Sequence, residues 1–304
     1  MTVRHDPRNV AQDVSIIITI IINAITCPFT VVLNVLVIMA MKRRRRLQSN
    51  TNILLACLAA TDTLTGLVVQ PSFIVWKTLY FLNFNGIESS VVKLFHRFCL
   101  RSLIVCSSLH LILITCERLI AIKFTMSYPH IVTKRKIKVA VIICWALSFT
   151  SQGIELFPLN SIVRSMTHLI LSLAMTFCVL FISTTYAILY RESRRHESQI
   201  KTQQLPQEEV ERFVKENKAL KTTAFIVGAV LLCFLPMALT IFPMLLRVKL
   251  GSLFVVLKPL GPTCGILNSL LNPLIYCLRQ KEMRKFVFRA PCKPVEPAMN
   301  WTER

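Results

Sequence analysis

Glycine and acidic residues are scarce in this sequence, and charged residues as a whole are few. Its 304 residues include seven glycines and 15 aspartates and glutamates; 17% are charged and 54% are apolar. An average globular domain is about 45–50% apolar and about 25% charged. Because the apolar residues are concentrated in long runs, this composition excludes a disordered chain and a disulfide scaffold, and it argues against a soluble enzyme.

The net charge is nevertheless strongly positive, at +21, because the chain has 36 lysines and arginines. Such a basic chain could bind nucleic acid. A membrane protein explains the charge better, since lysines and arginines collect in the cytoplasmic loops of membrane proteins. We therefore expect no nucleic acid partner.

Seven apolar stretches are each long enough to cross a bilayer, which takes about 20 residues of helix. A transmembrane β-barrel would instead show alternating segments of about ten residues. The predicted spans, numbered 1 to 7 in chain order, cover residues 14–41, 51–76, 95–122, 137–158, 165–190, 222–246 and 252–278. The sequence therefore predicts an all-α membrane protein, with a bundle of seven transmembrane helices over residues 14–278.

The basic residues lie mainly on one side of these spans. Of the 36 lysines and arginines, 24 lie in the segments that follow spans 1, 3, 5 and 7, and a twenty-fifth, Lys138, lies on the same side at the start of span 4. The more basic side of a membrane protein faces the cytoplasm. We therefore expect residues 1–13 to be extracellular and residues 279–304 to be cytoplasmic. Basic and apolar residues alternate at helical spacing over 279–289, which predicts a short amphipathic eighth helix against the membrane lipids.

One carboxylate, Asp62, lies midway along span 2. An ionised group inside a membrane helix costs about 2.5–3.5 kcal/mol on insertion scales, so it is a candidate functional residue. Oxygen-bearing side chains lie at similar depths in spans 1, 3 and 7: Asn34, Ser107, Asn268, Ser269 and Asn272. Oxygen ligands suit hard cations. This set predicts a Na⁺ site at Asp62; a helix-packing hydrogen bond is the alternative.

A charged pair, Glu117-Arg118, ends span 3 directly before a basic loop. The arginine fork could also reach Glu216, just before span 6, and hold spans 3 and 6 together. Breaking such a pair would open a cavity, as in a two-state switch. Two prolines inside the last spans, Pro236 and Pro273, each remove a backbone hydrogen bond and kink the helix.

Several of these residues belong to motifs that recur in a fixed order along the chain. The motifs are Asn34 in span 1, Leu58-Ala59-Ala60-Thr61-Asp62 in span 2, Glu117-Arg118-Leu119 at the inner end of span 3, Trp145 in span 4, Tyr186 in span 5, Cys233-Phe234-Leu235-Pro236 in span 6 and Asn272-Pro273-Leu274-Ile275-Tyr276 in span 7. The ordered set resembles the motifs of rhodopsin-like (class A) G-protein-coupled receptors, with Leu119 and Phe234 in place of the usual tyrosine and tryptophan.

The resemblance implies a non-enzymatic plasma-membrane receptor that couples an extracellular ligand to a heterotrimeric G protein; arrestin is a second partner that the family suggests. Arg118 would meet the G protein when span 6 swings outward. The resemblance assigns the other switch residues to Glu117, Glu216, Tyr186, Asn272, Pro273 and Tyr276, and the toggle to Phe234 and Pro236. It makes the Asp62 set an allosteric Na⁺ pocket, the only cofactor expected. Cys292 lies where the family has a lipidated cysteine.

The chain departs from that family at its outer side. Lys93 stands where a cysteine normally anchors an outer-loop disulfide, and Cys178 stands near the position of the usual span 5 proline. With a short outer loop, these departures resemble the melanocortin, cannabinoid and lysophospholipid receptors. Leu100 stands where amine receptors have an aspartate, which argues against an amine ligand.

Positive charge marks the outer end of span 3. Lys93, Arg97 and Arg101 are spaced by four residues and so share a helix face, beside Leu100, and Lys258 of span 7 could face the same cavity. These residues predict an anionic ligand: a small molecule, a lipid or a peptide. Alternatively, Lys93 and Arg97 extend to lipid headgroups while Arg101 pairs with Glu155 of span 4.

Two other functions stay open. A receptor-like protein that no longer signals fits Leu119, Phe234 and the missing disulfide. An ion-coupled transporter also places Asp and Asn in mid-membrane, but it usually has inverted repeats and glycine-broken helices. The sequence has no internal repeat and only seven glycines, which argues against the transporter.

Overall fold

The computed structural model describes residues 10–44, 49–84, 86–124, 127–153, 160–202, 214, 220–221, 224–225, 227–229, 231–233, 235, 251–279 and 281–288. These residues form helices and the turns between them, and no strand occurs among them. The helices are referred to below by the predicted span that each contains. "Inner" denotes the end of the bundle that carries the basic loops, and "outer" the opposite end.

The helices run Val10–Arg43 (span 1), Asn50–Leu64, Thr65–Val69 and Gln70–Phe81 (together span 2), Ile87–Lys123 (span 3), Tyr128–Ile131, Lys134–Gly153 (span 4), Ser161–Thr202 (span 5), Gly251–Arg279 (span 7) and Lys281–Phe288. Within the described residues, the helices of spans 1, 2 and 3 are long and apolar enough to cross a membrane. The described positions of span 6 are helical. The helices of spans 3 and 5 extend beyond both predicted ends, because backbone hydrogen bonding continues where the apolar run stops.

The interior of the bundle holds both apolar and polar side chains. The span 1 helix packs along those of spans 2 and 7, and the span 3 helix contacts those of spans 2, 4 and 5. An inner core cluster includes Leu58, Ile114 and Tyr276, and a smaller outer cluster contains Phe73 and Leu100. Apolar side chains also cover much of the outward face. Such a face is stable in a bilayer because lipid tails are as apolar as leucine.

A π-helical turn, Thr65–Val69, interrupts the α-helix of span 2. Gly66 in this turn lies against span 1, where a Cβ atom at Gly66 would meet Val31 Cγ2 at 2.7 Å. The Cys27 thiol donates a hydrogen bond to the Gly66 carbonyl over 3.2 Å. The missing side chain therefore allows the backbones of spans 1 and 2 to approach closely.

The helix Lys281–Phe288 directly follows span 7 and packs against the helices of spans 1 and 7. Within this helix, Met283 is fully buried, whereas Arg284 and Lys285 are exposed. The Arg44 guanidinium lies 6.0 Å from the centroid of the Phe286 ring. This helix therefore has one apolar, buried side and one basic, exposed side at the inner end of the bundle.

Candidate functional sites

The inner polar cluster comprises Asn50, Thr51, Glu117, Arg118 and Tyr128. Arg118 and Glu117 are each only 4% exposed. The guanidinium donates from Nε to Glu117 Oε2 at 2.6 Å and from Nη2 to Glu117 Oε1 at 2.7 Å. Such two-point pairing is among the strongest hydrogen-bonded contacts in proteins. Arg118 is therefore held by the neighbouring residue of its own helix.

Span 2 contributes a hydroxyl to the same cluster. Thr51 Oγ1 lies 3.1 Å from both carboxylate oxygens of Glu117 and also accepts a hydrogen bond from Arg118 Nη2. Thr51 is in the first turn of its helix, which places it level with the last turns of span 3. The arginine–glutamate pair is therefore fixed to span 2 as well as to span 3.

The short helix Tyr128–Ile131 supplies the remaining partner. The Tyr128 hydroxyl donates to Glu117 Oε1 at 2.5 Å, and Asn50 Nδ2 donates to the Tyr128 oxygen at 3.3 Å and to the Val132 carbonyl at 3.1 Å. Burial, together with the Glu117 carboxylate, raises the pKa of Tyr128 to about 12. The phenol therefore stays a neutral hydrogen-bond donor at physiological pH.

The central polar cluster lies midway along the bundle and comprises Asn34, Asp62, Asn268, Ser269 and Asn272. Asn272 Nδ2 donates to Asp62 Oδ2 at 2.8 Å, and the Ser269 side chain lies beside the same carboxylate. Asn34 Nδ2 donates to the Ser269 carbonyl at 2.9 Å. All five residues are buried. The structure thus brings together the residues that the sequence placed around Asp62 on spans 1, 2 and 7.

Four buried acceptor oxygens of this cluster have no hydrogen-bond partner among the described residues: Asn34 Oδ1, Asp62 Oδ1, Asn268 Oδ1 and Asn272 Oδ1. Buried polar atoms are almost always paired, and these oxygens can only accept. Beside them, a cavity of about 20 Å³ between spans 3 and 7 is lined in part by Ser107, Asn268 and Ser269. Its size suits one water molecule or one small ion, and the unpaired oxygens suit a hard cation.

The cavity extends outward along span 3 to Ile104, Leu103 and Leu100. Arg97 is half-buried one turn beyond Leu100, and Lys93 is exposed one further turn out. Residues 93, 97, 100, 104 and 107 recur at spacings of three and four, which places them on one helix face. The half-buried Arg101 lies at the edge of this face and interacts with other groups.

Aromatic side chains surround the outer end of span 2. The Lys77 ammonium lies 4.3 Å from the Trp76 ring centroid. The Trp76 ring stacks on His96, with 5.3 Å between ring centroids, and His96 Nδ1 lies 3.0 Å from Ser72 Oγ. Lys77 is thus in contact with an aromatic ring. His96 is a buried packing residue, which agrees with the lack of metal-ligand spacing around it in the sequence.

An outer polar cluster, formed by Asn23, Thr26, Gln70 and Thr263, was not predicted from the sequence. Asn23 Nδ2 donates to Thr263 Oγ1 at 3.3 Å, and Gln70 Nε2 donates to Thr26 Oγ1 at 2.9 Å. Asn23 and Gln70 are fully buried. The only sign of this cluster in the sequence was one uncharged amide in each of two apolar spans. The cluster joins spans 1, 2 and 7.

The remaining predicted site residues divide into two groups. Tyr186, Pro273 and Tyr276 are buried in the interior of the bundle. Five others have side chains outside the described residues: Glu216, Phe234, Pro236, Lys258 and Cys292. The sequence reasoning missed Thr51 and Tyr128, because a hydroxyl at a helix end or in a loop carries no distinctive spacing.

Comparison with known proteins identifies similar sequences. The family model described as 7 transmembrane receptor (rhodopsin family) matches residues 33–276. The Alpha-1A adrenergic receptor of Mus musculus is 25% identical, with 92% of this chain and 69% of that receptor aligned. The human Alpha-1A adrenergic receptor is also 25% identical, with 84% and 64% aligned. The Histamine H2 receptor of Rattus norvegicus is 24% identical, with 84% and 74% aligned.

Proposed function

Because this chain belongs to the seven-transmembrane receptor family of the rhodopsin type, we propose that it couples an extracellular ligand to nucleotide exchange on a heterotrimeric G protein. The family is a receptor class, and membership confirms the resemblance that the ordered motifs indicated. The proposal includes seven spans, an extracellular N-terminus, an amphipathic eighth helix and a plasma-membrane location. The closer likeness to melanocortin, cannabinoid and lysophospholipid receptors stays a prediction.

The observation that carries this proposal is the pairing of Arg118 inside the inner polar cluster. The guanidinium contacts Glu117 and Thr51 at the basic end of the bundle. These contacts favour a closed arrangement. In the proposed open arrangement span 6 moves outward, Arg118 leaves Glu117, and its fork meets the G protein. A ligand that binds the open form better shifts the population toward it and raises the affinity for the G protein reciprocally.

A Na⁺ ion is the proposed allosteric cofactor of the closed form. Asp62, Ser107, Asn268 and Asn272 would hold it, with Asn34 orienting the Ser269 backbone. The ion supplies positive charge that offsets the buried carboxylate. The unpaired oxygens beside the cavity support this assignment. Because these oxygens belong to spans 1, 2 and 7 while Ser107 belongs to span 3, the cluster links four helices in their closed packing.

The proposed ligand is anionic and binds at the outer end of span 3. The relatives are named for adrenergic ligands and histamine. In this chain Leu100 offers no carboxylate to a cationic ligand, and the half-buried Arg97 lies one turn beyond it on the same face. Screening pairs of compounds with the same carbon skeleton, one a carboxylate and one its primary amide, tests the charge requirement. Arg97→Gln should abolish the preference for the carboxylate, whereas the exposed Lys138→Gln should leave it unchanged.

The first test is guanine nucleotide exchange on purified G proteins by wild type, Arg118→Ala and Glu117→Gln in membranes. Wild type should show basal exchange that Arg118→Ala abolishes and Glu117→Gln raises. Arg43→Ala, an exposed arginine at the inner end of span 1, serves as the control for loss of charge alone. Exchange that none of these variants alters would contradict the proposal.

A receptor-like protein without signalling activity is the second candidate, because Leu119 and Phe234 depart from the motifs of the family. It predicts that Glu117→Gln folds and reaches the membrane but catalyses no exchange on any G protein. An intact fold is read from the melting temperature of the purified variant. The two candidates therefore give opposite results in the same assay.

A further inference from the structure

An open apolar groove lies between spans 6 and 7. It has a volume of about 440 Å³ and is lined, among the described residues, by Ala224, Phe225, Gly228, Ala229, Leu232 and Ile275. Phe225 is 58% exposed and Leu232 is 73% exposed, so the groove opens on the outward surface of the bundle. In a membrane protein this surface faces lipid.

Gly228 leaves space along the groove, judged from the part of spans 6 and 7 that the structure describes. A Cβ atom added at Gly228 would meet no atom of the described residues within 4 Å. The groove residues of span 6 recur at positions 224, 225, 228, 229 and 232, which is the spacing of one helix face. An open apolar groove of this kind along a helix suits an extended hydrocarbon chain.

A positive charge lies at the inner end of the same face. Lys221 precedes Ala224 by three residues and Phe225 by four, so it is one helical turn, about 5.4 Å, further toward the basic end. Lys221 is exposed. A lysine at this depth attracts acidic headgroups, at about 1 kcal/mol for each basic residue near the surface.

We propose that the groove is a binding site for an acidic phospholipid, with one acyl chain along Gly228 and its headgroup at Lys221. The charge selects an acidic lipid over a zwitterionic one, and the adjoining apolar groove selects a lipid over a soluble anion. The lipid belongs to the cytoplasmic leaflet, which rests on the proposed orientation of the chain.

The bound chain would contact both spans, since Ile275 belongs to span 7 and the other lining residues belong to span 6. An outward movement of span 6 would alter the groove and loosen that contact. The lipid therefore favours the closed arrangement. This effect rests on the proposed function, whereas binding of the lipid does not.

The test is photolabelling of the full-length protein in phosphatidylcholine nanodiscs, with no G protein present. Two probes carry the same diazirine acyl chain, one with a phosphoserine headgroup and one with a phosphocholine headgroup. Labelled peptides are mapped by mass spectrometry. Gly228→Leu fills the groove and Lys221→Gln removes the charge. Ala187→Leu on the exposed face of span 5 and Lys138→Gln at the inner end of span 4 are the matched controls.

In wild type, the phosphoserine probe should label the groove peptides about fivefold more than the phosphocholine probe. Lys221→Gln should remove that difference, and Gly228→Leu should lower groove labelling by both probes without lowering the melting temperature. The controls should match wild type. Labelling spread evenly over the lipid-facing surface, equal labelling by both probes, or full labelling of Gly228→Leu would each overturn the proposal, whatever the nucleotide exchange activity.

Discussion

The hydroxyl of Tyr128 is expected to oppose activation. Tyr128→Phe removes one donor, the hydroxyl 2.5 Å from Glu117 Oε1, and keeps the aromatic ring. A hydrogen bond to a charged group contributes about 1.5–3 kcal/mol, and the half-buried position of Tyr128 argues for the lower end of that range. If this bond exists only in the closed arrangement, its loss shifts the ratio of open to closed receptor about tenfold, since 1.4 kcal/mol is a factor of ten.

The assay is basal nucleotide exchange at equal amounts of receptor in membranes. Tyr128→Phe should raise the basal rate up to about tenfold while the open form is a minor population. Combining it with Glu117→Gln should add little, because both changes remove the same contact. Tyr80→Phe, at the outer end of span 2, should leave the rate unchanged. A basal rate unchanged by Tyr128→Phe, in an assay where Arg118→Ala still abolishes exchange, would refute this account of the inner polar cluster.

Three further predictions follow from the clusters and from the packing of span 2. The raised pKa of Tyr128, about 12, keeps its phenol protonated. The contribution of this group to stability is therefore complete below pH 10 and is lost as pH rises through 12. Basal exchange should accordingly show no step from this group between pH 6 and 9. Replacing choline chloride by NaCl should lower basal exchange and raise the melting temperature of wild type, and Asp62→Asn should abolish both responses. Gly66→Ala should overpack against Val31, cost about 1–3 kcal/mol and lower the melting temperature, and Val31→Ala should restore it. The control is Gly228→Ala, whose Cβ would meet no atom of the described residues within 4 Å.

The central polar cluster could be predicted from the sequence because polar residues in apolar spans are rare and costly. Asp62 and Asn272 lie in separate spans, and the cost of burying a carboxylate was enough to predict that amide partners surround it. The structure brings Asn272 Nδ2 to 2.8 Å from Asp62. Polar groups that are costly to bury in the membrane can therefore be identified from their positions within apolar spans.

The inner polar cluster was only half predicted, for the opposite reason. The Glu117-Arg118 pair is visible as adjacent charges, but Thr51 and Tyr128 lie where hydroxyls cost little. Their role depends on how the loop helix Tyr128–Ile131 docks under span 3, which no periodicity in the sequence specifies. The span 3 helix, Ile87–Lys123, is longer than the predicted span because hydropathy records the membrane boundary, whereas the helix ends where its hydrogen bonding ends.

The π-helical turn gives span 2 one place where a residue can be deleted without changing the direction of the side chains on either side. A π turn holds one residue more than an α turn, and each residue of an α-helix rotates the side-chain direction by about 100°. Asp62 before the turn and Phe73 after it both point into the bundle, and both are fully buried. Deleting Leu67, which is 55% exposed within the turn, would convert it to an α turn with both residues still directed inward. A deletion elsewhere in span 2 would rotate one half against the other and turn its buried residues toward lipid.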